Sequence, residues 1–466
     1  MTVDNFIRRL IRVLAVAAVA AVLPVSVARA DQSANVQQIA SLPYLKLAIS
    51  INFIGDEMLV STVTGVYAYD VTNPAKPILR SALPMFIWEN EDVDVDRRRK
   101  LLFVSRDPRG FTTPVIPGSV FPYGEVQIVD VSNPRNIQQV SAFLVPAGHT
   151  TTCVNDCKVI WTAGPGANLL TQPASYIGRP VYATDITDPL HPVPCPHPID
   201  LGRNDGKTDY AHDVQVDGMG IAWVSGQGGV RGYWTAGRHR DPVTGQARVA
   251  TGCDPIPYGG SGTPTSATSS RFMHNAWRDV TTKPAAKGKL SSNDVLLATE
   301  ENIVSDCKTS GRFVTYDLRG TFHGEGFKDT ATTKNRMRVL DTWTPEKQPG
   351  ASGCASSHYF TSRGDGVTAN AFYEQGVRFL DVSDPSNIRQ IGYYRHSDSD
   401  TWAAYWHGKD TVFVADATRG VEVLRFTGSR ITRTVRAPGL KAVVHDIGLR
   451  FSRKVFGGLC PFAIPV

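Results

Sequence analysis

The chain of 466 residues lacks every compact catalytic signature that can be read locally. Gly-x-Ser-x-Gly, His-Glu-x-x-His, a Walker loop and a dinucleotide fingerprint are all absent, which removes the usual sequence handles on serine hydrolases, zincins, P-loop enzymes and Rossmann dehydrogenases. Gly226-Gln227-Gly228-Gly229 has no helix after it and reads as a strand-to-strand turn, not a phosphate loop. Long apolar runs are also missing. Val13 to Val27 is apolar but broken by Pro24 and Ser26, and it is short of the ~20 residues that span a bilayer. There are 7 cysteines and no second pair at zinc spacing beside Cys153 and Cys157, so a two-pair zinc site is excluded. Nor is there an excess of one charge. The net charge is +6, half of it in the first thirty residues, and from Ser429 onward Arg430, Arg433, Arg436, Lys441, Arg450, Arg453 and Lys454 face only Asp446. The body is therefore slightly acidic and offers nucleic acid no basic patch.

The N-terminus has the layout of an export signal. Arg8, Arg9 and Arg12 precede the apolar run, and Ala28-Arg29-Ala30 is a small-residue cleavage site that makes Asp31 the mature start. Ile7 and Arg12 fit a twin-arginine signal poorly, and no Cys follows the cleavage site to take a lipid. Residues 1–30 are read as a signal peptide, with no membrane span after cleavage. The expected location is secreted, periplasmic or cell-envelope. In such a compartment disulfides are the default. Cys153, Cys157, Cys195, Cys253, Cys307 and Cys354 are the candidates, with Cys153–Cys157 a tight local bridge and Cys460 left over.

What the sequence does contain is a repeat. Val66 to Pro74, Val126 to Pro134, Val181 to Pro189 and Val377 to Pro385 each run β-branched and aromatic, then end in Asp-[Val/Ile]-[Ser/Thr]-[Asn/Asp]-Pro. The first part favours a strand and the Asn/Asp-Pro stops it in a turn. The Asp before each turn is read as an acceptor for turn amides, not a catalytic group. Upstream of the repeats lie seven further apolar strands: Met58 to Ser61, Leu102 to Ser105, Val159 to Thr162, Ala222 to Ser225, Val295 to Ala298, Asn370 to Tyr373 and Val412 to Ala415. Seven such units, with no linker between them, predict an all-β fold: a seven-bladed β-propeller of four-stranded blades over 44–428. Residues 31–43 are then a lead-in and 429–466 a basic C-terminal tail. Thr263 to Ser270 lies inside a unit and reads as a loop.

The Val-x-Ile-Val-Asp run of Val126 to Asp130, with the Asp-Val-Ser-Asn-Pro that overlaps it, resembles the LVIVD-repeat family of exported bacterial β-propellers. The match is strong in units 1, 2, 3 and 6 and partial in the others, across roughly Tyr44 to Gly428. The resemblance implies a propeller outside the cytoplasm and implies no activity.

One constellation emerges when the units are aligned on their second strands. About one strand and turn upstream, unit 4 has His212-Asp213-Val214-Gln215-Val216-Asp217 and unit 2 has Glu91-Asp92-Val93-Asp94-Val95-Asp96. His149, His274 and His358 stand at the same phase in units 3, 5 and 6, Trp402 in unit 7, and small residues near Ala48 in unit 1. In a propeller this phase begins the innermost strand, so four of the 11 histidines and one carboxylate form a ring at one mouth of the channel. Imidazole and carboxylate suit a borderline divalent metal, with Asp213 or Asn275 as partners that fix the imidazoles. The competing reading is that each His bonds the loop before it. Glu300 and Glu301 at a strand end, with Trp402, are additional pocket candidates, Glu300 and Glu301 as acid ligands or a general base or simply as a solvated loop pair. Long loops at Arg106 to Gly124, Gly164 to Pro180 and Glu300 to Gly311, with Phe111, Phe121, Tyr123 and Tyr176, open on the same face.

Two functions follow. The first, favoured on sequence, is a binding module that presents its loop face and polar pocket to a protein, glycan or small-molecule ligand. The second is a metal-dependent hydrolase or oxidase built on the ring. A divalent metal is the only cofactor implied, and a monomer is expected.

Overall fold

The computed structural model describes residues 30–85, 87, 90–107, 124–164, 178–199, 201, 203–204, 207–227, 229–242, 244–258, 272–281, 290–302, 311–319, 337–345 and 353–428. The leader, the tail from Ser429, Cys307, Cys460, Thr263 to Ser270, and most of the three long loops with their aromatic residues lie outside these.

Seven antiparallel blades surround a central channel. Blade 1 runs Ala48–Ile54, Glu57–Thr62, Gly65–Asp70 and Ile78–Pro84 from the channel outward. Blade 2 is Asp94–Asp96, Leu101–Arg106, Gly124–Asp130 and Gln138–Val145. Blade 3 is Thr150–Val154, Val159–Ala163, Tyr182–Asp185 and Val193–Pro194. Blade 4 begins with Lys207–Val216 and Ile221–Gln227, followed by Arg231–Trp234 and Ile256–Pro257. Blade 5 is Phe272–Trp277, Val295–Glu301, Phe313–Asp317 and Arg338–Trp343. Blade 6 is Phe360–Ser362, Val367–Ala371, Val377–Asp381 and Arg389–Arg395. Blade 7 is Thr401–His407, Thr411–Asp416, Gly420–Phe426 and, from the other end of the chain, Val36–Leu42.

Each blade packs both faces against neighbours. Leu59, Val66 and Ala68 of blade 1 cluster with Val93, Leu102 and Val129 of blade 2, and Trp161 and Val181 of blade 3 with Val214 and Val224 of blade 4. Burial on both faces removes the polar alternation of a one-sided sheet. That is why the second strands read as unbroken apolar runs. They match the seven runs of the sequence, except that in blade 6 the strand ends at Ala371. There Phe372 N–H donates to Gly376 O and Gln375 N–H to Phe372 O, which turns the chain early.

The Asp of each repeat accepts from the turn amide two residues on: Asp70 from Thr72 at 2.9 Å, Asp130 from Ser132 at 2.8 Å, Asp185 from Thr187 at 2.8 Å and Asp381 from Ser383 at 3.0 Å. Asn73, Asn133, Asp188 and Asp384 do the same for the second half of the turn. The turn's Pro carbonyl also ties blades together. Ser81 Oγ donates to Pro134 O at 2.8 Å and Ser141 Oγ to Pro189 O at 2.6 Å.

Residues 31–43 are not a lead-in. Val36–Leu42 is the outer strand of blade 7, and Asp31–Gln32 pairs with the outer strand of blade 6. Laying one end of the chain beside the other completes the last blade and closes the ring without a covalent link. Cys153–Cys157 and Cys195–Cys253 are disulfides, with Cα atoms 4.4 and 5.4 Å apart. Cys354 is also disulfide-bonded. Among the described residues no helix is long and apolar enough to cross a membrane.

Candidate metal centre

The innermost strands carry the site at their beginnings. In blades 1, 4, 5 and 7 the pairing with the second strand shifts register across one residue: between Ala48 and Ser50, Ala211 and Asp213, Met273 and Asn275, and Thr401 and Ala403. The residues spanned by these bulges are Ile49, His212, His274 and Trp402. A bulge opposes two residues to one and re-aims a side chain. Here it turns the His inward in blades 4 and 5.

Glu91, His149, His212, His274 and His358 come together, all at most 1% exposed. Glu91 Oε2 lies 3.0 Å from His274 Nε2, 3.1 Å from His212 Nε2 and 3.3 Å from His149 Nε2. Its Oε1 lies 3.5 Å from His358 Nε2. His149 Nε2 and His212 Nε2 are 2.9 Å apart. Around the rest of the ring, Ile49 and Trp402 are buried with Cys354, Tyr373 and Ala417 as an apolar arc, so the polar side chains occupy five consecutive blades and the arc closes the other two.

The outer nitrogens are held by acceptors. His149 Nδ1 bonds Asp107 Oδ2 at 3.0 Å, His358 Nδ1 bonds Trp402 O at 2.7 Å, and His212 Nδ1 bonds His274 O at 3.3 Å. A carboxylate or carbonyl takes a proton and gives none, so these partners assign the N–H to Nδ1 in all three rings. Each ring then turns its Nε2 toward the centre, as a lone pair wherever that nitrogen carries no proton.

Of the other sequence candidates, Glu301 joins the cluster, Oε2 3.9 Å from His274 Nε2, and Tyr373 OH donates to its Oε1 at 2.5 Å. Tyr373 holds φ 33°, a strained value for a bulky residue. Glu300, the next residue along an alternating strand, faces away and forms a two-pronged ion pair with Arg312 at 2.6 Å. Trp402 contributes its carbonyl and packs 5.3 Å from the His358 ring. Asp213 and Asn275 do not fix the imidazoles. Asn275 Nδ2 donates to Asp213 Oδ2 at 2.9 Å instead, because the strand carries them one residue further down the channel. Asp107 is the residue that sequence reasoning missed. Its signal was available: it is the first residue past the second strand of blade 2.

The electrostatics keep His212 and His274 neutral and the central carboxylate charged. Burial alone would raise Glu91, but the four imidazoles, His149 first, hold it well below the usual carboxylate range. Burial pushes His212 down to about 4, and it pushes His274 well below the ordinary range, with His358 and His212 adding to it. His358 goes the other way: burial opposes its charge, but Glu91, Glu301 and the Trp402 carbonyl outweigh that. Burial pushes Glu301 up to about 7.

These residues fit a metal. Glu91 with His149 and His212, Glu91 with His274 and His358, and His212 with His274 and Glu301 each present three ligand atoms within 4.8 Å of one another. Ligands about 2.0–2.1 Å from a tetrahedral ion are about 3.3 Å from each other, and the Glu91, His149 and His212 contacts, at 2.9, 3.1 and 3.3 Å, come up to that spacing from below. His274 Nδ1, His358 Nε2 and Glu301 Oε2 are buried without a hydrogen-bond partner, the kind of deficit that an ion or water relieves.

No family model and no curated protein matches the sequence. Solved structures do resemble the fold. The periplasmic gluconolactonase PpgL of Pseudomonas aeruginosa aligns over 85% of this chain and 97% of its own, with a TM-score of 0.51 at 12% identity. The β-propeller domain of Cps50 (Swd1) from Myceliophteria thermophila covers 86% of this chain and 100% of its own, with a TM-score of 0.47 at 9% identity. Raptor from Chaetomium thermophilum aligns over 87% of this chain but 30% of its own, at 11% identity and a TM-score of 0.47. At these identities the likeness to PpgL is one of fold alone, and this chain is a β-propeller.

Proposed function

We propose that this chain is an exported β-propeller metalloenzyme that holds a divalent transition metal at the head of its channel and acts on a small substrate. The observation that carries the reading is the direction of the imidazoles. His149, His212 and His358 each commit Nδ1 to an acceptor, which leaves their Nε2 atoms converging on the Glu91 carboxylate at 3.1–3.5 Å. Lone pairs so placed repel one another unless a metal ion or a proton lies among them. A loop-bonding role for the histidines accounts for Nδ1 and leaves Nε2 unexplained. A binding module would use the same scaffold but has no need of this arrangement.

Imidazoles with a carboxylate suit zinc, copper, iron or nickel. Glu91, His149 and His212 form the tightest set, with His274 and His358 on the other side of Glu91. A bound ion supplies Lewis acidity and can acidify a water or polarise a carbonyl. Glu301, hydrogen-bonded by Tyr373, is the carboxylate beside the ring placed to hold or pass a proton. Trp402 and Ile49 wall the ring on its apolar side. Export accords with the leader and with the disulfides. A propeller of this fold that is a gluconolactonase makes lactones and simple esters the first substrates to assay.

The test is elemental analysis of untagged protein purified from an exporting host. About one equivalent of transition metal per chain is expected, lost in the His212→Ala/His274→Ala double variant while circular dichroism stays that of a β protein. Hydrolysis of a lactone panel that follows metal content would identify the enzyme. Protein that is metal-free and takes up none from zinc, iron, copper or nickel would defeat the reading.

A further inference from the structure

Below the ring the channel opens into a cavity of about 380 Å³. That lies within the ~300–1,000 Å³ range of small-molecule sites. Its floor is acidic. Asp92 and Asp94 line it, and Asp213 stands behind Gln215 and Asn275. Among the described residues the three carboxylates accept from neutral groups. Gln215 Nε2 reaches Asp92 at 2.9 Å and Asp213 at 3.4 Å, Asn275 Nδ2 reaches Asp213 at 2.9 Å, and the backbone amides of Val95 and Cys153 reach Asp94 at 2.7 and 2.8 Å. Among the described residues no Lys or Arg forms an ion pair with any of them. Arg97 lines the rim and donates to the Phe53 carbonyl at 3.2 Å.

A second observation points to a ligand. Asn275 is 3% exposed and Tyr359 4%, and both line the cavity. Asn275 Oδ1 and Tyr359 OH have no hydrogen-bond partner, and neither has Asp213 Oδ1. Buried acceptors of this kind are costly to leave unmet. Two carboxylates, an amide oxygen and a phenol ask for a donor that carries positive charge.

The walls decide which kind of cation. Phe53, Trp277, Tyr359, Phe360, Tyr405 and Trp406 surround the acidic floor. A hydrated inorganic ion gains nothing from such walls. An organic ammonium gains apolar burial for its carbon body and attraction to aromatic faces for its head.

We propose that this cavity is a binding site for a small organic cation, its ammonium group held by Asp92, Asp94 and Asn275 and its hydrocarbon body against the aromatic wall. The site is separate from the ring, and Tyr359 divides the two, with its ring 4.5 Å from His274 and 5.1 Å from His358. It stands whether or not the ring holds a metal.

Full-length mature protein titrated with n-butylammonium chloride, and with n-butanol as the neutral isostere, tests the assignment by calorimetry and ligand-observed NMR. Saturable binding of the ammonium at least tenfold tighter than of the alcohol is expected, with at least tenfold loss in Asp92→Asn. If that variant does not fold, Tyr359→Phe, which removes only the hydroxyl, should weaken the ammonium several-fold while leaving the weak alcohol binding unchanged. Metal content measured on the same samples should be the same in Tyr359→Phe and the parent, which keeps this site distinct from the ring. Equal binding of alcohol and ammonium, no saturable binding, or calcium chloride saturating the cavity and excluding the ammonium would each overturn the proposal.

Discussion

Asp107 and the Trp402 carbonyl hold the outer nitrogens of His149 and His358, and so decide which nitrogen each ring offers to the channel. Such partners raise ligand basicity and fix ring orientation, and their loss typically costs about 10–100-fold in metal affinity. Asp107→Leu should therefore weaken metal binding by about that factor while leaving all four histidines in place. A competition titration against a chromophoric chelator would read it, and unchanged affinity would mean that His149 is not a ligand. His212 makes a prediction about the metal-free protein. Burial takes its pKa from 6.5 to about 4. As pH falls through 6.5 the unfolded chain takes up a proton that the folded chain refuses until about 4. This contribution to stability is therefore whole above 6.5 and is lost between 6.5 and 4, by roughly 3 kcal/mol for this one group. His358, whose pKa is raised by Glu91, works in the opposite sense and keeps the net loss smaller. Urea denaturation of apo protein at pH 7 and pH 4.5 should show the loss, and His212→Gln should reduce it. An equal loss in the variant would exclude His212 as its source.

At the scale of the strand and turn, the repeat is a device for ending a third strand and clipping it to the next blade. Asp130 accepts the Ser132 amide, and Pro189 O in blade 3 accepts Ser141 of blade 2. Asp130→Ala and Ser141→Ala should each cost about 1 kcal/mol, the net worth of one hydrogen bond, and because the two bonds share no partner the double variant should be additive. Equilibrium denaturation would check both. These turns were legible in the sequence because their chemistry is local: Asp, Asn and Pro each act within a few residues. The phase of Glu91, His149, His212 and His358 was legible for a related reason, since each lies one short strand and a turn ahead of the second strand of its blade, whereas in blade 5 a longer connection separates His274 from Val295–Glu301. Two things could not be read. The bulges that aim His212 and His274 depend on pairing between strands, which no single strand encodes. The partners of Nδ1 come from other blades or other strands, so Asp213 and Asn275 looked like neighbours of the imidazoles on sequence, yet bond each other. Glu300 and Glu301 were inseparable as a pair until strand alternation put one on Arg312 and the other beside His274.

On the scale of the whole molecule, the site is a product of closure. Glu91 and each of the four histidines sit on a different blade, so the ring of imidazoles keeps its dimensions only while all seven blades stay in register. Two locks serve this, one covalent and one non-covalent. The Cys195–Cys253 bridge closes a loop with a sequence separation of 58. On the chain-entropy model a loop of that size is worth about 4 kcal/mol, so the double Cys→Ser variant should unfold at correspondingly lower denaturant. The other lock is the N-terminal strand. Val36–Leu42 pairs with Gly420–Phe426 from Val36↔Phe426 to Leu42↔Val421, and Val36 and Leu42 are 2% and 6% exposed. Burying two such side chains contributes about 1.5–3 kcal/mol each, to which the strand pairing adds. Deleting residues 31–43 should therefore lower stability by at least ~3 kcal/mol and leave the Gly420–Phe426 edge open to self-association. The same deletion should loosen metal binding, although no ligand lies within it, because blade 7 supplies the Trp402 carbonyl that orients His358. A synthetic peptide of residues 31–43 added in trans should restore both the melting temperature and the metal content. If the truncated protein melts where the parent does and holds its metal equally well, then closure by this strand is not what keeps the ring in shape.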